Sequence, residues 1–205
     1  MDFTPALFEG VKSYLMAKEI LRYKHQRTLV LVKPEGVRRG LVGEIVGRIE
    51  HSELKIVGLG ILLATRRQID GHYPKDSKWI KRLGERTLST CQKYGVDPKR
   101  YLDTIDSAKI GRMVRGWIID SMTSGPIVKM VIEGPHAIEA VRKLAGNTIP
   151  YLAGAGTIRG DFSNDSPIIA NLEKRAMANM IHASETPQEA AHEIHYWFKS
   201  NELLR

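Results

Sequence analysis

The sequence has a single cysteine, Cys91, among 205 residues. An internal disulfide is therefore excluded, and a reducing compartment, the cytoplasm, is the expected setting. No apolar run approaches the ~18 residues that would span a bilayer, so no membrane partner is expected. The opening stretch, MDFTPALFEGVKSYLMAKEI, has no basic segment ahead of a long apolar block, which argues against a secretory signal. The chain also lacks the G-x-x-x-x-G-K-[ST] loop with which many proteins cradle a triphosphate. Any phosphate chemistry must rest on other groups.

What is present describes an ordinary globular chain: 42% hydrophobic and 26% charged residues, long enough for one domain with a good core. The formal charge of +8 favours an anionic partner. It is unevenly spread. Between Pro74 and Gly116 eleven Lys/Arg face five Asp/Glu, so six of the eight net charges fall there. A solvated helical face explains this better than a nucleic-acid groove, and no nucleic-acid partner is expected. Near the start, Phe3, Leu7, Val11, Tyr14, Leu15 and Leu21 recur at roughly helical spacing, predicting a helix that packs on the domain or on a neighbouring subunit.

Further along, RTLVLVKPEG predicts a buried strand over Thr28 to Val32, closed by Pro34 and Gly36. Leu41, Val42, Ile45, Val46 and Ile49 predict a helix ending near His51, and LKIVGLGILLA a second strand. Two short helical stretches and the basic segment follow, with turns at Gly95 and Pro98. SGPIVKMVIEG predicts a third strand. Pro135 is expected to open a helix that Gly146 stops. A loop-like stretch, AGNTIPYLAGAGTIRGDFSNDSP, comes next. A short strand, Asn179 to Ala183, then leads to a helix capped by Thr186 and Glu189, with Pro187 in its first position. The simplest fold for this order is a ferredoxin-like split βαβ arrangement of the α+β class: a four-stranded antiparallel sheet with helices on one face. That fold hosts many functions, RNA binding among them, but the aromatic-rich RNP1 strand of the RNA-binding version is missing.

Three clusters combine turn residues with reactive ones: VKPEGVRRG with Lys33, GTIRGDF with Arg159, and NMIHASE with His182. Read structurally, Lys33 is a solvated strand end, Arg159 pairs with Asp161, and His182 packs in the core. Taken in order, with HY at His72–Tyr73 and SGP at Ser124–Pro126, they closely resemble the nucleoside diphosphate kinase family over most of residues 28 to 200.

The resemblance implies a nucleoside diphosphate kinase, with ATP and other nucleoside triphosphates as donors and nucleoside diphosphates as acceptors. It makes His182 the nucleophile that carries the γ-phosphoryl group. A neutral imidazole, with an unperturbed pKa of about 6.5, keeps a lone pair for that attack. Glu193 matches the family's carboxylate behind the histidine, with Ser184 beside it, and Tyr73 matches a tyrosine near the lysine and the imidazole. Lys33, Arg142, Thr148, Arg159 and Asn179 match phosphate- and ribose-binding positions. Mg²⁺ is expected on the β- and γ-phosphates, with no direct protein ligand, and Glu185 reaching it through water. The family is usually tolerant of the base and usually oligomeric, so a homo-oligomer, hexamer or tetramer, is expected. The rival reading is a catalytically weak, kinase-like protein that binds nucleotide or nucleic acid.

Two departures from the family stand out. Its usual Phe-Phe pair before S-G-P aligns with Val114 and Arg115. Arg115 could stack on the base, or Trp79, Tyr94, Tyr101 or Trp117 could substitute. The link from Phe162 to Asn179 is also about ten residues longer than usual, with a short helix expected over Ile168 to Ala176. The expected organisation is an N-terminal helical extension over 1–26 and the family domain over 27–205, with helical insertions at about 75–116 and 163–176.

Overall fold

The computed structural model describes residues 13–16, 20, 21 and 23–204. Four strands, β1 (Gln26–Val32), β2 (Lys55–Leu63), β3 (Pro126–Gly134) and β4 (Ile181–Ala183), form one sheet in the order β2-β3-β1-β4. Every neighbouring pair is antiparallel. This is the expected ferredoxin-like sheet. The helices, however, cover both faces. Strand alternation sends Val30 and Val32 into one core and Leu29 and Leu31 into the other. Helices α1 (Pro34–Arg38) and α2 (Val42–Glu50) follow β1. Ile45 and Ile49 of α2 join the Val30 core, as do Ala137 and Val141 of a helix after β3. The opposite core takes Ile69 from α3 (Arg66–His72). A central strand apolar on consecutive positions has to be covered twice, which is why helices on a single face would not suffice.

The basic segment forms α4 (Ser77–Lys93), α5 (Pro98–Leu102) and α6 (Ser107–Met122), each with an aspartate as its N-cap: Asp76, Asp97 and Asp106. Helices α4 and α6 pack at close range where two glycines meet carbonyls. A Cβ on Gly84 would collide with the Ser107 carbonyl, and one on Gly111 with that of Ile80. Only glycine lets the two backbones approach so closely.

Beyond β3, Pro135 does not open the helix. It forms a turn with His136, which takes a left-handed φ of 49°, and α7 runs Ala137–Ala145. The loop-like stretch that follows is more ordered than its composition suggests, with a 3₁₀ turn at Pro150–Leu152 and helix α8 at Ile158–Phe162. The second inserted stretch forms α9 (Pro167–Leu172), shorter than expected, and α9 packs against α4. Helix α10 (Pro187–Trp197) follows β4 with the expected Thr186 cap, and a 3₁₀ turn at Ser200–Glu202 comes after it. Of the predicted N-terminal stripe, Phe3, Leu7 and Val11 lie outside the described residues, while Tyr14, Leu15 and Leu21 are helical and exposed.

Candidate active site

Helical and strand ends converge on a cleft of about 1080 Å³ that His182, Lys33, Tyr73, Arg142, Thr148 and Arg159 line. His182 stands opposite Leu31 in the β1–β4 ladder, so its ring projects to the face covered by α10 while Ile181 enters the other core. The approach to β4 is bent. Met180 adopts a left-handed φ of 64° and Ile181 N donates to Asn179 O at 2.7 Å. Such backbone in a residue other than glycine costs of order 1 kcal/mol and gathers at functional sites.

Helix α10 folds back so that Glu193, eleven residues after His182, meets the imidazole. His182 Nε2 lies 2.9 and 3.0 Å from the two carboxylate oxygens. Ser184 Oγ donates to Glu193 Oε2 at 2.6 Å and itself accepts from Leu29 N. Burial pushes the Glu193 carboxyl up, but the His182 hydrogen bond and charge outweigh it and hold the group below the usual carboxylate range. The carboxylate therefore accepts the Nε2 proton, which leaves Nδ1 with the lone pair.

His72 completes the cluster. Its ring stands edge-on to His182, centroids 4.7 Å apart. Trp197 Nε1 donates to His72 Nδ1 at 3.1 Å, so that nitrogen is an acceptor and the ring is neutral. Burial, then the neighbouring charge of His182, pushes its pKa down to about 3. The 3.5 Å approach of the same Nδ1 to Glu193 is therefore a contact rather than an ion pair. Tyr73 packs edge-on against His72, and burial followed by the charge of Glu193 raises its phenol well above the usual range, keeping it a donor.

The cations beside the histidine are held by neutral groups. Lys33 Nζ donates to Asn179 Oδ1 at 2.6 Å, and burial lowers its pKa. Arg159 donates to the carbonyls of Asn179, Gly146 and Ile181 at 3.2, 2.8 and 3.0 Å. Two of its five N–H groups remain for a ligand. Burial, then the charge of Arg142, lowers its pKa to about 10. Asp161, its expected partner, pairs with Arg48 instead. Gly146 can serve as this anchor because its φ of 78° suits glycine, and a Cβ there would strike Thr157.

Arg142 is half-exposed and within 3.3 Å of Glu185. Asn179 is buried with both ends of its amide engaged, Oδ1 by Lys33 and Nδ2 by the Thr148 carbonyl. It positions the lysine, and its reach to a ribose hydroxyl is not free in this arrangement. Arg115 is the residue that the structure does not bring to the cleft. Its guanidinium is locked by Asp70 Oδ1 at 2.7 Å and by the carbonyls of Asp70, Tyr73 and Pro74. It braces α3 against α6 and is not placed to stack on a base. Val114 and Ile118 line the cleft there, with Trp79 alone of the four candidate aromatics. Sequence reasoning gave no role to His72, although HY was part of the motif. The signal was a second imidazole adjacent to the family tyrosine.

Among the described residues, the one cluster with metal-ligand spacing is His72, His182 and Glu193. His182 Nε2 is engaged by Glu193 and His72 Nδ1 by Trp197, and this nitrogen-rich set does not suit Mg²⁺, which takes oxygen ligands. The carboxylates that line the cleft itself are Glu85, Glu185 and Glu189.

An imidazole with one nitrogen committed to a carboxylate, set in a cleft of cations, defines a phosphoryl-handling α+β protein. A family model described as "Nucleoside diphosphate kinase" matches residues 26–83 and 108–203. The chain is 45% identical over 179 residues to a nucleoside diphosphate kinase of Pyrobaculum aerophilum, covering 87% of this chain and 98% of the relative. It is 36% identical to that of Archaeoglobus fulgidus, covering 87% and 90%. A crystal structure of an NDP kinase from Pyrobaculum aerophilum superposes with a TM-score of 0.86 at 42% identity, over 88% of this chain and all of the other. A transition-state mimic of the Borrelia burgdorferi nucleoside-diphosphate kinase, with bound vanadate and ADP, gives 0.70 at 35% identity, over 88% and 91%. The chain belongs to the nucleoside diphosphate kinase family.

Proposed function

We propose that this chain transfers the γ-phosphoryl group of a nucleoside triphosphate to a nucleoside diphosphate through a phosphohistidine at His182. The carrying observation is the Nε2–Glu193 hydrogen bond at 2.9 Å on a ring that also lines the cleft. Nδ1 attacks phosphorus, the Nδ1–P bond forms as the bond to the bridging β,γ oxygen breaks, and the nucleoside diphosphate leaves. A terminal oxygen of the incoming diphosphate then attacks the same phosphorus and Nδ1 departs. Glu193 balances the imidazolium charge during both half-reactions, and Ser184 fixes the carboxylate. Lys33, Arg142 and Arg159 face the phosphate oxygens, where negative charge gathers. Thr148 and the protonated Tyr73 add hydroxyl donors. Mg²⁺, carried by the nucleotide with Glu185 reaching its water shell, would neutralise phosphate charge.

Assembly into a homo-oligomer, hexamer or tetramer, is part of the same reading. Edge strand β2 presents Leu59, Ile61 and Leu63 at 60, 66 and 73% exposure. An apolar edge of this kind is normally covered. Sedimentation of Ile61→Lys, expected to give smaller species than wild type, tests it. A cytoplasmic setting fits the lone buried Cys91, and no described helix is long and apolar enough to cross a membrane.

The activity itself is tested by turnover with ATP and several nucleoside diphosphates. Discharge of the enzyme-bound phosphate that depends on added diphosphate supports the reading. Uptake without such discharge indicates a hydrolase instead. Absence of uptake, with tight salt-sensitive binding of RNA or DNA, supports the kinase-like binding protein.

A further inference from the structure

Away from its cations the cleft has apolar walls. Val114 and Ile118 of α6 form one, and Ala176 and Met177, in the segment leading into Asn179, contribute to another. Aliphatic side chains can cover a base but present no π surface to it. Among the described residues, the aromatic rings on the cleft are those of His182, Tyr73 and Trp79. His182 is engaged by Glu193, and Tyr73 packs edge-on against His72. Trp79, half-buried in the first turn of α4, has no such duty.

Two observations locate the indole. A series of ring contacts leads to it from the imidazole: His182 to His72 at 4.7 Å, His72 to Tyr73 at 4.8 Å, and Tyr73 to Trp79 at 6.3 Å between centroids. The second is the register of α4 against α6. Ile80 meets Gly111 and Gly84 meets Ser107, so the helices run antiparallel. Continued by one turn, that register sets the start of α4, with Trp79, beside the turn of α6 that carries Val114. Arg115, next along α6, is turned from the cleft by Asp70 and Tyr73. The other tryptophans are elsewhere. Trp197 is buried and bonded to His72, and Trp117 lines a different cavity.

We propose that the Trp79 indole is the stacking platform for the base of the bound nucleotide, beside the apolar cover of Val114. This rests on the phosphotransfer reading, which puts the phosphates among Lys33, Arg142 and Arg159 and leaves the apolar walls to the base. Stacking reads no hydrogen-bonding group, and every base has a π face, so all four bases are accepted. A purine overlaps more of the indole than a pyrimidine does and gains more from it.

The test is equilibrium binding, without a phosphoryl donor, of ADP, GDP, CDP, UDP and inorganic tripolyphosphate, which has neither sugar nor base. In Trp79→Leu the Kd should rise roughly tenfold for the purine diphosphates and less for the pyrimidine ones. Tripolyphosphate should change by less than about twofold, and Trp79→Phe should recover most of the loss. An equal loss for tripolyphosphate would make Trp79 a support of the cleft rather than a platform, and an unchanged Kd for every diphosphate would overturn the assignment outright. Should Trp79→Leu fold poorly, fluorescence decides. ADP should quench tryptophan emission in the wild type, tripolyphosphate should not, and the quench should vanish in Trp79→Phe. No quench, or the same quench in Trp79→Phe, overturns the platform. Base-dependent binding in a protein that takes no label from γ-labelled ATP overturns the phosphotransfer reading instead.

Discussion

The two ends of the cleft are built differently. Around His182, Lys33 is held by a neutral amide and Arg159 by three backbone carbonyls, so their charges are fixed without being cancelled. Along the α4 wall, the basic side chains Arg82 and Arg86 are exposed, while the hydroxyls of Thr87 and Thr90 turn back into their own helix. Its position depends on the glycine contact between α4 and α6. The difference separates two tasks. Chemistry needs charge preorganised in a desolvated place, whereas closing over a base needs only a wall at the right distance.

The sharpest break in this comparison is expected at the phosphate end. Glu193→Gln keeps the shape but loses the charge facing the imidazolium. The rate of phosphohistidine formation at saturating ATP should fall about 10²-fold or more, with little change in nucleotide affinity. Rapid-quench measurement of the labelled enzyme checks it. An equal loss in affinity would mean that Glu193 organises binding rather than the nucleophile.

At the α4 wall the expected pattern is inverted. Gly111→Leu forces α4 away from α6, because overpacking a close contact is destabilising by about 1–3 kcal/mol. KM should rise roughly tenfold, with the single-turnover rate at saturation held within about threefold, and proteolysis over residues 84–107 should quicken. A fall in that rate as large as the rise in KM would show that the α4 wall and the histidine are one unit.

Arg115→Lys gives a smaller effect. It keeps a charge near Asp70 but loses the fork that grips the carbonyls of Asp70, Tyr73 and Pro74. A few-fold loss of kcat/KM by the same factor for every base is expected, read from discharge of the labelled enzyme by each nucleoside diphosphate. A base-dependent loss would restore Arg115 as a nucleotide contact.

The smallest effect concerns pH. His72 is neutral when folded, with a pKa of about 3, yet takes up a proton when unfolded near the ordinary histidine value of about 6.5. A base with a depressed folded pKa lends stability that is intact above the unfolded value and is lost as pH falls from there toward the folded one. Glu193, also depressed when folded, adds a further loss below the ordinary carboxylate range. Melting temperature should therefore drop between pH 7 and 5, by a few degrees for about 1 kcal/mol. The slope should flatten in His72→Gln, whose amide oxygen still accepts from Trp197. An unchanged slope would mean that His72 takes up the same proton folded as unfolded, so that its folded pKa is not depressed.

Much of this was legible in the sequence because it is local. Consecutive apolar residues announced β1, and Thr186, Pro187 and Glu189 announced α10. The histidine, lysine and arginine motifs marked their positions through fixed neighbours. Tertiary relations were not legible. Arg115 aligned with a base-stacking position, yet its partners Asp70 and Tyr73 are some forty residues earlier in the chain, and no spacing rule links them. Asn179 looked free to contact ribose because its two partners, Lys33 and Thr148, come from other elements. Helix α8 lies in a stretch with the composition of a loop, because its glycine-rich approach masks the Thr157 cap. The second helical layer has no local signal, because it is β1's burial on both faces, rather than any single helix, that requires it.

The central claim is that the His182 imidazole carries the phosphoryl group, and incubation with γ-labelled ATP followed by acid and alkali treatment tests it most directly. The account predicts a label on wild type that survives alkali, is lost in acid, is discharged by nucleoside diphosphate, and is absent from His182→Ala. A label that survives acid, or one of equal yield in His182→Ala, would contradict it.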